Sequence, residues 1–223
     1  MVSQLKVNEI IKQSGSSISI GESGDTINIP SGATLDIASG ATITNSGTAT
    51  GLGTHVKLFS DTSVSGTSLS IGSSVITSTY TRYLMIIQNL KSDSDNSSLY
   101  LRHSTDNNES SINSLTDTFV HVANSGGGGS YSTIDITNNL NAKLTDDTIG
   151  NGGNEGVSGY GYLFIDTTKP KQGMFKLTNT NSSHVYSYNG VYYVDSNDVV
   201  NAISIRPSGG SFDQGTIELY GIV

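Results

Sequence analysis

The chain has 223 residues, a formal net charge of −8, and neither cysteine nor tryptophan. Without cysteine it makes no disulfide and no thiolate metal site. An acidic surface with arginine only at 82, 102 and 206 repels phosphate backbones, which argues against nucleic-acid binding.

Only 13% of the residues are charged and 26 are glycine, a composition that resembles disorder. Eleven tyrosines and abundant Ile, Val and Thr, however, suit a pleated sheet. We read an all-β, loop-rich protein. The opening MVSQLKVNEIIKQSG has no apolar core of signal-peptide length, which argues against secretion by that route. No apolar run approaches the roughly 18 residues of a membrane span, so no membrane insertion is expected. Within residues 1–23, Leu5 and Val7 suit a strand, whereas Val7, Ile10 and Ile11 suit one helical turn. Either way the segment is short and apolar.

Residues 24–47 divide into three octads, GDTINIPS, GATLDIAS and GATITNSG. Each opens on glycine and carries an aliphatic residue at its fourth position. Ile27, Ile29, Leu35, Ile37 and Ile43 stand at i and i+2 within their units, which puts each pair on one face of a short strand. Turn formers follow each pair. Three such units cannot enclose a core alone, and repeat architectures bury their faces only against stacked neighbours. Three parallel copies about one axis would point the five aliphatics inward, making a trimeric β-shaft. The alternative is an ordinary β-meander packed on the rest of the chain. GTATGLG, ending at residue 53, reads as a small-residue hinge after this stem of residues 24–53.

From residue 54 to 223 the text turns into short β-like runs: VKLFS, TSLSI, RYLMIIQNL, SSLYLRH, STIDI, YGYLFI, MFKLTN, AISIRPS and TIELYGIV. Leu84 to Ile87, the longest apolar run, is a buried strand by its length. Period-two alternation at Phe175/Leu177 and Ile203/Ile205 predicts a β-sandwich or jelly roll. NSLTDTFVHVANS is the one candidate for a short helix. In HVYSYNGVYYVD, Asn189-Gly190 predicts a hairpin with a type I′ turn. That pairing sets Tyr186, Tyr188, Val191 and Tyr193 on one face and Val185, Tyr192 and Val194 on the other. Polar loops at 93–98, 105–111, 124–130 and 144–161 are natural carriers of binding.

Catalytic signatures are missing. The histidines at 55, 103, 121 and 184 show no ligand spacing, and there is no HExxH and no GxSxG. Asp146-Asp147 with Glu155 form the one carboxylate group worth weighing for glycoside hydrolysis, and such loop acids are commonly solvated turn formers. Asp93-Ser94-Asp95-Asn96 starts like a calcium loop, but Ser98 and Ser104 replace the glycine and glutamate that an EF-hand needs. The residues call for no cofactor and no metal. Tyr186, Tyr188, Tyr192 and Tyr193, with Asn, Ser and Asp nearby, are the candidate glycan contacts; core packing is their other common duty.

The LKVNEIIKQSG opening followed by aliphatic-Ser-Gly octads resembles the N-terminal part of fibre-like virion proteins of tailed bacteriophages, marine ones especially. ISIRPSGGSFDQGTIELYGIV, residues 203–223, is similar to the closing strands of the compact domains on such proteins. The resemblance covers roughly the first 50 and the last 21 residues. It implies a non-enzymatic homotrimer on the exterior of the virion, docked to a tail or capsid protein through Leu5, Val7, Ile10 and Ile11. It also implies a distal jelly-roll head, resembling those of the tumour-necrosis-factor type, that binds a host-surface glycan. A capsid decoration protein, a free extracellular carbohydrate-binding module and, third, a small depolymerase are the alternatives.

Overall fold

The computed structural model describes residues 10, 15, 18–38, 41, 42, 44, 55–105, 141–146, 149–166, 170–181, 184–195 and 198–222, with the backbone alone at 116–124 and 130–139. The chain divides into two units, Met1–Ala49 and Thr50–Val223.

In the first unit the octad period appears as a period of turns. The carbonyls of Glu22, Pro30 and Ala38 accept hydrogen bonds from the backbone N–H of Asp25, Ala33 and Ala41, each at 3.0 Å. Gly24 and Gly32 stand at the third position of the first two turns with φ of 95° and 84°, the left-handed backbone that a type II turn demands there. No strand forms among residues 18–38. Ile27, Ile29, Leu35 and Ile37 are therefore left between 41% and 64% exposed in the single chain. Ile10 is exposed as well, while Leu5, Val7, Ile11 and Ile43 lie outside the described residues.

The second unit is all-β. Among the described residues it holds β1 (His55–Asp61), β2 (Leu69–Ile71), β3 (Arg82–Ser92), β4 (Leu99–Ser104), β5 (Thr116–Asn124), β6 (Ser130–Asn139), β7 (Ala142–Lys143), β8 (Gly156–Phe164), β9 (Lys171–Thr180), β10 (Val185–Val194), β11 (Ala202–Pro207) and β12 (Phe212–Ile222). They form an eight-stranded sheet in the order β1-β12-β3-β8-β9-β10-β5-β6 and a four-stranded sheet in the order β2-β11-β4-β7. Every pairing is antiparallel. Tyr83, Met85, Leu163, Phe175 and Leu177 of the large sheet share one buried cluster with Ile71, Leu99, Leu101, Ile203 and Ile205 of the small one. Two sheets facing across a common apolar layer are a β-sandwich arrangement.

Alternation decides which side chains enter that layer. In β3, Tyr83, Met85 and Ile87 turn inward, whereas Leu84 and Ile86 stay half-exposed on the outer face. The expected burial of the whole run from Leu84 to Ile87 thus holds for alternate residues only. Each of the nine runs picked out above coincides with a strand.

Three expectations need correction. Asn189 and Gly190 do not turn: β10 runs straight through them, bonded to β9 on one side and β5 on the other. Ladder bonds on both sides over ten residues outweigh the local preference of an Asn-Gly pair for a turn. The alternation of one strand then replaces that of a hairpin, and Tyr188, Tyr192 and Val194 share the inward face. Likewise, the helix candidate at 113–125 contains β5, held between β6 and β10. Finally, the loop expected to run to residue 161 stops earlier, because Gly156–Phe164 is β8. Glycine sits inside that strand for a spatial reason: a Cβ added at Gly159 would lie 2.2 Å from the Lys176 carbonyl oxygen.

Candidate ligand-binding cleft

A polar cleft of about 390 Å³ opens where two of the polar loops meet, lined by Asp95, Asn96, Asn151, Glu155 and Asn181 with Gly150 and Gly152 between them. The loop after β3 is tied to the chain ahead of β8 by a reciprocal pair of backbone bonds between Ser97 and Ile149, both 3.0 Å. Asp93 fixes the far side of the same loop by accepting the Ser211 N–H at 2.8 Å. Asn96 takes a φ of 57°, a backbone state that asparagine tolerates better than most side chains.

The carboxylates are oriented by backbone amides. Asp95 Oδ1 accepts the Asn151 N–H at 3.0 Å, and Glu155 Oε2 accepts the Gly152 N–H at 2.6 Å. Glu155 is buried in this position. It folds so tightly under the loop that a Cβ at Gly150 would sit 1.9 Å from its Oε2, so Gly150 and Gly152 are what admit it. On the third side, Asn181 Oδ1 accepts the His184 N–H at 3.0 Å while its Nδ2 reaches Tyr186 Oη at 3.5 Å. The ring of Tyr186 lies 5.8 Å from that of His184 and 6.3 Å from that of Tyr188.

Carboxylate and amide oxygens that accept stand beside amide groups that donate. A hydroxyl donates one hydrogen bond and accepts others, so a wall of this mixed kind suits a polyhydroxylated ligand. Among the described residues, no group of three or more His, Cys, Asp or Glu could hold a metal ion.

The tyrosines part company here. Tyr186 packs, partly buried, against the core and meets Asn181 only through its hydroxyl. Tyr193, half-exposed, donates to Asp195 Oδ1 at 3.3 Å. Tyr188 and Tyr192 are buried, and neither ring is available at the surface. Their assignment as glycan contacts is corrected by the straight course of β10. Tyr192 Oη instead meets His103 Nε2 at 3.3 Å inside the core. The carboxylates considered for hydrolysis are also separated in role. Asp146 pairs with Lys143, Glu155 bonds Gly152, and Asp147 lies outside the described residues.

Comparison with protein-family models, with curated proteins and with solved structures returned no match. Function must be read from this chain's own residues. Of the cleft, sequence reasoning had the two loops and Glu155. It missed Asp95, Asn96, Asn151 and Asn181 as a group; the signal present was aspartate beside asparagine in the first loop and asparagine beside glycine in the second.

Proposed function

We propose that the protein is a non-enzymatic structural component of a bacteriophage virion, a homotrimeric short fibre whose jelly-roll head binds a host-surface glycan. The observation that carries this reading is the first unit. Turns recur every eight residues there, and Ile27, Ile29, Leu35 and Ile37 stay exposed between them. A single chain offers these aliphatics no cover. Three copies about one axis would cover them all, each branched side chain gaining about 1.5–3 kcal/mol on full burial.

The resemblance of both chain ends to phage fibre proteins supports the virion setting. The mixed wall of Asp95, Asn96, Asn151 and Asn181 supports the glycan. The N-terminal segment with Leu5, Val7, Ile10 and Ile11 would dock on a tail or capsid protein.

Gold-labelled antibody against residues 54–223, imaged on intact particles, tests the reading. Label at the tail makes the protein an adsorption fibre; label over the capsid makes it a decoration protein. No label on any particle would withdraw the virion setting and leave a carbohydrate-binding module. Asn151→Ala is expected to weaken binding to host polysaccharide by roughly tenfold, about 1.4 kcal/mol, with an unchanged melting temperature.

A further inference from the structure

An open pocket of about 370 Å³ lies at the end of β8 away from the polar cleft, lined by Thr81, Arg82, Phe164, Asp166, Pro170 and Gln172. The two sites are separate. β8 is nine residues long, and at about 3.4 Å per residue its ends stand roughly 27 Å apart.

Register builds the floor of this pocket. Arg82 of β3 pairs with Phe164 of β8, Phe164 with Gln172 of β9, and Gln172 with Tyr193 of β10. Alternation turns Arg82, Phe164 and Gln172 outward, and all three are exposed. The phenyl ring of Phe164, 38% exposed, thus stands between a guanidinium and a carboxamide. Each neighbour is about 4.8 Å away along the sheet.

Arg82 supplies the second observation. The chain carries 19 acidic residues against 11 Lys and Arg. Lys57, Lys91 and Lys143 each pair with a carboxylate at 3.3 Å or less. Among the described residues Arg82 pairs with none, although Asp166 lines the same pocket. The charge of Asp166 acts on a different cation: burial lowers the pKa of Lys171, and Asp198 and Asp166 oppose that fall. The guanidinium at the pocket keeps its donors for a ligand.

We infer that this pocket binds a carboxylate-bearing sugar, a hexuronic acid unit of an anionic polysaccharide. Each part of such a ligand has a partner. A carboxylate takes two parallel hydrogen bonds from a guanidinium, a planar match that a lysine does not offer. The polarised C–H groups on one face of a pyranose suit the negative face of the Phe164 ring. The Gln172 amide and the Thr81 hydroxyl both donate and accept, as sugar hydroxyls require. A bare anion would use Arg82 and leave the ring idle; a neutral sugar would use the ring and leave the charge idle. The acid of a sugar uses both. The inference rests on the glycan reading of the head and names the class of sugar.

Calorimetric titration of the full chain with galacturonate and glucuronate trisaccharides, and with their methyl esters, tests this. At least one acid is expected to bind, and its ester at least roughly tenfold more weakly. Arg82→Gln and Phe164→Ala should each weaken the acid to a similar degree with an unchanged melting temperature, because both side chains are exposed. Arg82→Lys should restore only part of the loss, since it keeps the charge without the fork. Asn151→Ala, at the far end of β8, should bind the acid as the parent does. Failure of both acids to bind, equal affinity for acid and ester, or parental binding by Arg82→Gln would overturn the inference. Host polysaccharide separates this pocket from the cleft. Binding weakened by Asn151→Ala while neither trisaccharide binds sinks the pocket and keeps the cleft. Acid bound through Arg82, with Asn151→Ala indifferent to the polysaccharide, keeps the pocket and removes the cleft.

Discussion

His103 is a buried base that the fold keeps uncharged. Its ring packs 5.4 Å from that of Tyr192, and burial, aided by the positive charge of Lys171, pushes its pKa down to about 3 from an ordinary 6.5. The sign of the consequence follows from proton counting. Above pH 6.5 the imidazole is neutral in both states and contributes no pH dependence. Below that the unfolded chain binds a proton that the folded chain refuses, so stability falls, by up to about 1.4 kcal/mol per pH unit, until about pH 3. The melting temperature of the parent should drop more steeply than that of His103→Gln between pH 6 and pH 4. Parallel melting curves for the two proteins would show that burial does not hold this group neutral. Nothing around His103 in the sequence points to this state. Its neighbours Tyr192 and Lys171 are far along the chain and reach it only when the two sheets close.

At the scale of the elements, β8 and β10 show how pairing overrides local chemistry. Each carries a glycine-containing stretch that reads as a loop or a turn, and each becomes a central strand because a partner lies on either side. In β8 the glycine is needed. Gly159 has a φ of 150°, and any side chain there would meet the Lys176 carbonyl oxygen of β9. Gly153, in the cleft loop, has nothing within 4 Å of where a Cβ would go. Gly159→Ala should therefore lose about 3 kcal/mol, seen as a lower urea midpoint, while Gly153→Ala should stay within about 0.5 kcal/mol. Similar losses at both positions would mean that glycine in this region acts through chain entropy rather than through space.

For the whole molecule the question is what one chain leaves uncovered. The octad aliphatics Ile27, Ile29, Leu35 and Ile37 of the first unit are exposed in the single chain. Ile29→Asp combined with Ile37→Asp puts carboxylates at positions that are already open in the monomer, so the β-sandwich should melt as before. In a closed trimer the same carboxylates would be buried without partners, at a cost of several kcal/mol per chain. Sedimentation is expected to show the parent at three times the mass of the double variant. Equal masses would remove the shaft.

The sequence by itself determined the class of the protein and the places of nine of the twelve strands described. Period-two alternation is a local property of the backbone, so VKLFS, MFKLTN or TIELYGIV announces a strand whatever its neighbours are. The octad turns were legible for the same reason, since a left-handed position after Pro30-Ser31 calls for glycine within four residues. Only the tertiary structure decided which strands became central, and hence that Asn189-Gly190 runs straight and that Tyr188 and Tyr192 are core residues. It alone brought Asp95, Asn151 and Asn181 to one cleft and lined up Arg82, Phe164, Gln172 and Tyr193 across four strands. Those arrangements depend on strand order and register, which are set by contacts between residues distant in sequence. A chain read one neighbourhood at a time does not contain them.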